Sequence, residues 1–245
     1  MSDLFDIPAK IAERCLINPA QYQAMYKRSI DDPDAFWSEQ ADAFLDWIQP
    51  WSEVSEADMA QGRIAWFKGG ALNVSVNCID RHLPARAEQT AIIWEGDEPD
   101  QQRHITYKEL HEDVCKFANV LKTNGAKKGD RITLYMPMIP EAAVAMLACA
   151  RIGAVHSVVF GGFSPDALAG RIQDCDSTMV ITADEGVRGG RPIPLKANTD
   201  AAVKDCPDCK TVIVVRRTGG EINWVEGRDV WYRDAMNTAS TDCPA

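Results

Sequence analysis

Residues 131–160 read RITLYMPMIPEAAVAMLACARIGAVHSVVF, and this stretch decides the fold. The apolar run over 131–136 is typical of a buried strand. Pro140 then begins an apolar helix that Gly153 ends, and 155–160 is a second apolar run. Two strands and a helix joined by short turns are typical of a βαβ unit, in which the strands are parallel.

The same alternation continues toward residue 215. We expect helices over 165–175 and 195–204 and strands over 179–182 and 211–215. Right-handed crossovers then place helices on both faces of the sheet. The sequence therefore predicts an α/β chain, in which an N-terminal helical and irregular layer precedes part of a doubly wound, mainly parallel sheet.

The front of the chain has a different pattern. Residues 19–51 are predicted to form short helices, one of which starts at Asp32 and Pro33. Aromatic residues recur at near-helical spacing from Phe36 to Trp51, and residues 52–62 form a polar connection. We divide the chain into an N-terminal region, residues 1–85, and the first part of the sheet domain, residues 86–245.

Composition excludes several classes of protein. The 245 residues carry 26 basic and 36 acidic side chains, a net charge of −10, whereas a domain that mainly binds nucleic acid normally has a basic surplus. No apolar run reaches the ~18 residues of a membrane-spanning helix. Residues 1–6 lack the basic and apolar regions of a signal peptide. We expect a cytoplasmic protein with neither nucleic acid nor membrane as a partner.

The eight cysteines do not predict a disulfide framework or a metal site. One pair is close, Cys206 and Cys209, but a structural zinc site needs about four ligands. No second pair exists, and the four histidines lack zinc-finger spacing. We interpret 206–209 as a surface loop and assign neither a metal ligand nor a catalytic residue.

Two loops after predicted strands have unusual composition. Ligands of doubly wound sheets bind at the carboxyl ends of the strands. The first loop, residues 160–165, contains Gly161 and Gly162 and leads into a helix start behind Ser164. Glycines let backbone N–H groups approach a ligand, and a helix start favours an anion. The alternative is an ordinary turn that Ser164 caps.

The second loop spans residues 182–194 and contains Arg-Gly-Gly-Arg at 188–191. Each arginine presents a rigid fork of N–H donors that matches phosphate or carboxylate oxygens. The glycines allow a bent backbone, so both forks could turn toward one anion. The alternative is a solvated loop in which the arginines pair with Asp184 and Glu185.

Long runs of the chain resemble the N-terminal region of the acetyl-coenzyme A synthetase family, which belongs to the AMP-forming, adenylate-forming ligases. The resemblance is strongest in residues 146–162, MLACARIGAVHSVVFGG, and in residues 182–196, TADEGVRGGRPIPLK. It continues through 73–83 and 91–97 and covers roughly residues 15–235.

The resemblance implies an activity and a binding site. Members of the family join acetate to ATP with Mg²⁺, giving acetyl-adenylate and pyrophosphate, and the thiol of coenzyme A then displaces AMP. The matching positions imply coenzyme A contacts at Arg188, Gly189, Gly190 and Arg191, with Gly162 beside the same ligand.

The chain departs from the family in length. Family members continue through a phosphate-handling loop, an acetate pocket, a Mg²⁺ site and a mobile C-terminal domain. We therefore expect an N-terminal fragment that is inactive alone and whose partner is the missing C-terminal part of the same enzyme. Two alternatives stay open, namely a ligase for propionate or another short acid, and a non-catalytic fragment that binds coenzyme A or a nucleotide.

Overall fold

The computed structural model describes residues 7–98 and 100–245. The chain divides into two compact units, residues 1–72 and 73–245. Residues 1–6, on which the expected lack of a signal peptide rests, lie outside the described residues. None of the helices in the described ranges combines the length and the apolar composition that a membrane span requires. The domain boundary at residue 85 stays a prediction.

The described part of the first unit, residues 7–72, contains three helices and an antiparallel hairpin. Asn18 and Gln21 form a capping box at the start of the helix over residues 19–31. At the start of the next helix, the Asp32 carboxylate accepts a hydrogen bond from the Ala35 amide at 3.3 Å, which confirms the predicted helix start at Asp32. The elements are α1 (Ala9–Ala12), α2 (Pro19–Asp31), α3 (Pro33–Phe44), β1 (Glu53–Asp58) and β2 (Arg63–Lys68).

Two predictions for this unit were wrong. Helix α3 ends at Phe44, so the aromatic run to Trp51 is not one helical stripe. Trp47 and Trp51 instead pack on Phe67 of β2, with ring centroids 5.6 and 5.1 Å apart. The predicted polar connection over 52–62 contains strand β1, which pairs antiparallel with β2.

The second unit carries the remaining elements. Before the main sheet come α4 (Val74–Cys78), α5 (Leu83–Arg86), β3 (Thr90–Glu95), β4 (Gln102–Thr106) and α6 (Tyr107–Thr123). The main sheet and its crossovers are β5 (Arg131–Met136), α7 (Pro140–Arg151), β6 (Val155–Phe160), α8 (Pro165–Asp174), β7 (Met179–Ala183), β8 (Gly186–Arg188), β9 (Arg191–Ile193), α9 (Leu195–Ala202), β10 (Thr211–Val215), β11 (Asp229–Trp231) and α10 (Tyr232–Thr238).

Five strands form a parallel sheet in the order β11-β10-β7-β5-β6. The chain runs from β5 to β6 at one edge and then crosses to β7 on the other side of β5. The connections after β5 and β7 therefore leave in opposite directions, which opens a crevice at the carboxyl ends of these two strands. The predicted α/β fold with a doubly wound parallel sheet is confirmed.

The core lies on the two faces of this sheet. Thr106 and Glu109 form a capping box at the start of α6, and Val114, Phe117 and Leu121 of that helix are fully buried. Strand β7 is buried along its whole length. At the edge strand β6, by contrast, Val158 is 59% and Phe160 60% exposed, so the sheet presents apolar surface on this side.

Candidate functional site

A cleft with a volume of about 520 Å³ lies at the carboxyl ends of β5, β6 and β7. Its wall is mainly apolar and includes Met136, Ile139 and Val159. Two arginines, Arg188 and Arg217, also line it. The cleft is where the crevice of a doubly wound sheet is expected, and both loops singled out from the sequence contribute to it.

The Arg-Gly-Gly-Arg sequence forms the turn of a hairpin and not an irregular loop. Strands β8 and β9 are antiparallel, and Arg188 lies directly opposite Arg191. Gly189 and Gly190 have φ angles of +56° and +73°, which a two-residue turn of type I′ requires at both central positions. Residues opposite each other in an antiparallel pair share one face, so the turn places the two arginines side by side.

The alternative interpretation of this hairpin required ion pairs with nearby acids. Among the residues that the structure describes, neither Arg188 nor Arg191 has a carboxylate partner. Asp184 and Glu185 bond elsewhere, to the turn that follows β10. Two exposed cations that lie opposite each other repel, and this arrangement favours an anion between them. Only Arg188 also lines the cleft, where its guanidinium lies 5.8 Å from the centre of the Phe160 ring.

The glycine loop after β6 has a packing requirement at Gly162. A Cβ atom there would lie 2.6 Å from the Phe160 ring, so any side chain would displace that ring from the cleft wall. The Tyr135 hydroxyl donates to the Phe163 carbonyl at 2.7 Å and fixes the loop. Ser164 caps helix α8, as the alternative interpretation required, so the loop is both a capped turn and part of the cleft wall.

The buried carboxylate of Asp184 fixes the turn after β10. Asp184 is 1% exposed and accepts backbone N–H bonds from Glu185, Arg217 and Gly219 at 2.7, 2.7 and 2.8 Å, and from Thr218 at 3.3 Å. The side chain of Arg217 thereby reaches the cleft. The sequence does not predict Arg217 as a residue of the cleft, because its anchor lies 33 positions earlier in the chain.

A buried ion cluster forms around Lys196 of helix α9. Lys196 is fully buried, and its ammonium lies 2.8 Å from Asp229 and 2.8 Å from Asp200 and donates to the Asn223 carbonyl at 2.9 Å. Arg228 contacts both carboxylates. Burial raises the pKa of Asp229, but hydrogen bonds from Arg228 and Lys196 outweigh it, and the pKa lies below its usual value.

The Cys206–Cys209 pair is buried, so its interpretation as a surface loop was wrong for the thiols. The two residues are 4% and 7% exposed, and they donate to the Ala169 and Thr211 carbonyls. Burial raises the pKa of Cys209 to about 11, which makes it a poor nucleophile and a poor metal ligand. In residues 7–98 and 100–245 no three His, Cys, Asp or Glu side chains are placed to hold a metal ion.

Comparison with known proteins gives two family matches. Residues 79–243 match the family described as AMP-binding enzyme, and residues 22–78 match the family described as acetyl-coenzyme A synthetase N-terminus. These matches agree with the resemblance identified in the sequence.

The matching relatives are much longer than this chain. An acetyl-coenzyme A synthetase 2 of Pseudomonas aeruginosa is 62% identical over 239 residues, which cover 98% of this chain and 37% of that protein. An acetyl-coenzyme A synthetase of Halorhodospira halophila is 63% identical over 241 residues, with the same coverage. This chain therefore spans little more than a third of the length of these curated relatives.

A solved structure shares the fold. The acetoacetyl-CoA synthetase from Streptomyces lividans has a TM-score of 0.79 and 26% sequence identity, and the match covers 89% of this chain and 33% of that one. The family match to residues 79–243 takes in the whole parallel sheet and the cleft at its carboxyl edge. This chain belongs to the AMP-binding enzyme family.

Proposed function

We propose that this chain is the N-terminal part of an AMP-forming acetate–coenzyme A ligase. In the complete protein, ATP and acetate form acetyl-adenylate and pyrophosphate, and coenzyme A then gives acetyl-CoA and AMP. The names of relatives 62% and 63% identical support this activity. The match to an acetyl-coenzyme A synthetase N-terminus supports the position of the chain within the longer protein. We further propose a cytoplasmic location.

The contribution of these residues is a binding site for coenzyme A. One observation carries this proposal: two loops from different strands, with Gly162 and Arg188, meet in a single cleft at the carboxyl edge of the sheet. The hairpin of Arg188, Gly189, Gly190 and Arg191 presents two arginines on one face toward phosphate groups. The apolar wall of the cleft suits the uncharged part of the same ligand.

No chemical step is assigned to the described residues. Among residues 7–98 and 100–245, the carboxylates and thiols are not grouped to hold Mg²⁺. They therefore do not fit a metal site, and we derive no step through the ion. Positive charge beside the transferring adenylyl group would come from sequence outside this chain. We therefore propose that the 245 residues alone have no ligase activity.

The activity is tested in the longer protein that carries this chain. Arg191→Ala should raise the KM for coenzyme A several-fold, while acetate-dependent exchange between ATP and pyrophosphate stays near the unchanged rate. Arg63→Ala, an exposed arginine of the β1–β2 hairpin, serves as the control. Equal loss of both half-reactions in the Arg191→Ala protein would show that Arg191 acts on folding or on adenylation. If the unchanged protein shows no acetate-dependent exchange between ATP and pyrophosphate, the ligase assignment is refuted.

A second candidate function differs only in the acid. The structural neighbour is named for acetoacetyl-CoA, although its identity with this chain is 26%. Assay of acetate, propionate and acetoacetate with the longer protein decides between them, and acetate should have the highest kcat/KM.

A further inference from the structure

Arg217 enters the cleft from the turn after β10, and its position is fixed at both ends. Its backbone N–H donates to the buried Asp184 carboxylate at 2.7 Å. Its guanidinium lies over the Trp94 ring, 5.1 Å from the centroid, and the Trp94 indole in turn donates to the Met138 carbonyl at 2.8 Å. The side chain of Arg217 is only 17% exposed, so it is a held cation and not a mobile surface group.

The partners that hold the guanidinium leave most of its donors available. Nη2 of Arg217 donates to Gln101 at 3.2 Å and to Asp97 at 3.4 Å. Among residues 7–98 and 100–245 no acceptor faces Nη1 or Nε of Arg217. Asp97 is 45% exposed, and an ion pair this long and this exposed is weak. A phosphate that binds two nitrogens of the fork makes the stronger contact.

The cleft thus combines two guanidinium groups with an apolar wall and an aromatic face. Arg188 and Arg217 supply the positive charge, and Trp94 supplies the ring. Two carboxylates, Glu95 and Asp97, also line the cleft and oppose an anionic ligand. Asp97 is the one of these two that contacts an arginine of the cleft.

We propose that Arg217, in addition to Arg188, is a phosphate-binding residue of this cleft, and that the Asp97 carboxylate competes with the ligand for the Arg217 guanidinium. The proposal rests on the proposed function, in which the ligand is coenzyme A. The proposal predicts that removing the charge of Arg217 weakens binding of coenzyme A, whereas removing the charge of Asp97 strengthens it. If the ion pair only stabilised the fold, either change would lower the stability of the protein.

The test is isothermal titration of the longer protein that carries this chain with coenzyme A. Arg217→Gln should weaken binding about tenfold or more, because it removes a charge-assisted contact to phosphate. Asp97→Asn should tighten binding about two- to fivefold, because it removes an exposed competing charge. Affinity of the Arg217→Gln chain should also fall less steeply with added salt, since one ionic contact is gone.

Matched controls come from neighbouring residues outside the cleft lining. Arg216→Gln changes the adjacent arginine, which lies over Trp231 at 4.0 Å, and Glu98→Gln changes the acid next to Asp97. Neither control should shift the affinity by more than about twofold. Melting temperatures of all variants show whether a change in affinity follows from loss of folding.

The outcomes separate this proposal from the proposed function. If the unchanged longer protein binds no coenzyme A, the assignment of the cleft fails and this inference fails with it. If the unchanged longer protein binds coenzyme A and Arg188→Gln weakens binding while Arg217→Gln does not, the inference alone is refuted. Weaker binding in both Arg217→Gln and Asp97→Asn, with parallel losses in melting temperature, would show a structural pair and would also overturn the inference.

Discussion

Asp184 provides the sharpest test of how the cleft is held together, and the perturbation is Asp184→Asn. Its buried carboxylate accepts four backbone N–H bonds, three of them at 2.7–2.8 Å. Asparagine has nearly the same shape but carries no charge, and its amide N–H₂ would face backbone N–H donors. A hydrogen bond to a charged group contributes about 1.5–3 kcal/mol, and a buried donor left without an acceptor costs about 1–3 kcal/mol. We expect a loss of about 2–4 kcal/mol in the free energy of unfolding.

Thermal unfolding followed by circular dichroism measures this loss. For a chain of this length about 1 kcal/mol shifts the melting temperature by about 2–4 °C, so the expected fall is about 5–15 °C. Coenzyme A binding should weaken as well, because the turn that carries Arg217 loses its anchor. Asp208→Asn, an exposed acid in a turn, is the control. A melting temperature within about 1 °C of the unchanged chain would refute the anchoring role of Asp184.

Three further predictions concern stability and thiol reactivity. Lys196→Met should lower the free energy of unfolding by about 3–5 kcal/mol, because it removes the buried ammonium that Asp200 and Asp229 share and leaves Arg228 as their cation. The pKa of Asp229 is held below its usual value near 3.9. The ionised carboxylate therefore contributes its full stabilisation above about pH 4, and this contribution is lost as the pH falls through the lowered pKa. Urea unfolding at pH 3–7 should show this decline in the free energy of unfolding. Iodoacetamide at pH 8 should label Cys15 and Cys78 first, since both are exposed, and mass spectrometry locates the adducts.

Each of these predictions has a result that contradicts it. A Lys196→Met chain within about 1 kcal/mol of the unchanged one would show that the ion cluster adds little stability. Unfolding free energies that stay flat between pH 5 and pH 3 would argue against a lowered pKa at Asp229. Equal labelling of Cys149 in the native chain would contradict its burial, which raises the pKa of that thiol to about 12.

Local pattern was sufficient to predict four strands of the sheet, β5, β6, β7 and β10, but not the short strand β11. Apolar runs such as 131–136 and 211–215 are buried on both faces, which is why their composition alone identifies them as strands. The capping box at Thr106 and the proline at position 33 fixed helix starts for equally local reasons.

The missed features depend on contacts between distant residues. Strand β1 is polar and forms only because β2 pairs with it. The β8–β9 hairpin has three-residue strands, one of which contains Pro192, so no alternating pattern marks it. Arg217 becomes part of the cleft through Asp184 and Trp94, which are remote from it in sequence. Burial of Cys206 likewise comes from packing against the Ala169 segment and not from its own turn-forming neighbours.

Binding of coenzyme A at the cleft is tested most directly by hydrogen–deuterium exchange of the chain with and without that ligand. Backbone amides of residues 161–163 and 186–191 should exchange more slowly when coenzyme A is present, while those of the β1–β2 hairpin stay unchanged. Unaltered exchange in both cleft loops at saturating coenzyme A, or slowing confined to other parts of the chain, would contradict the assignment.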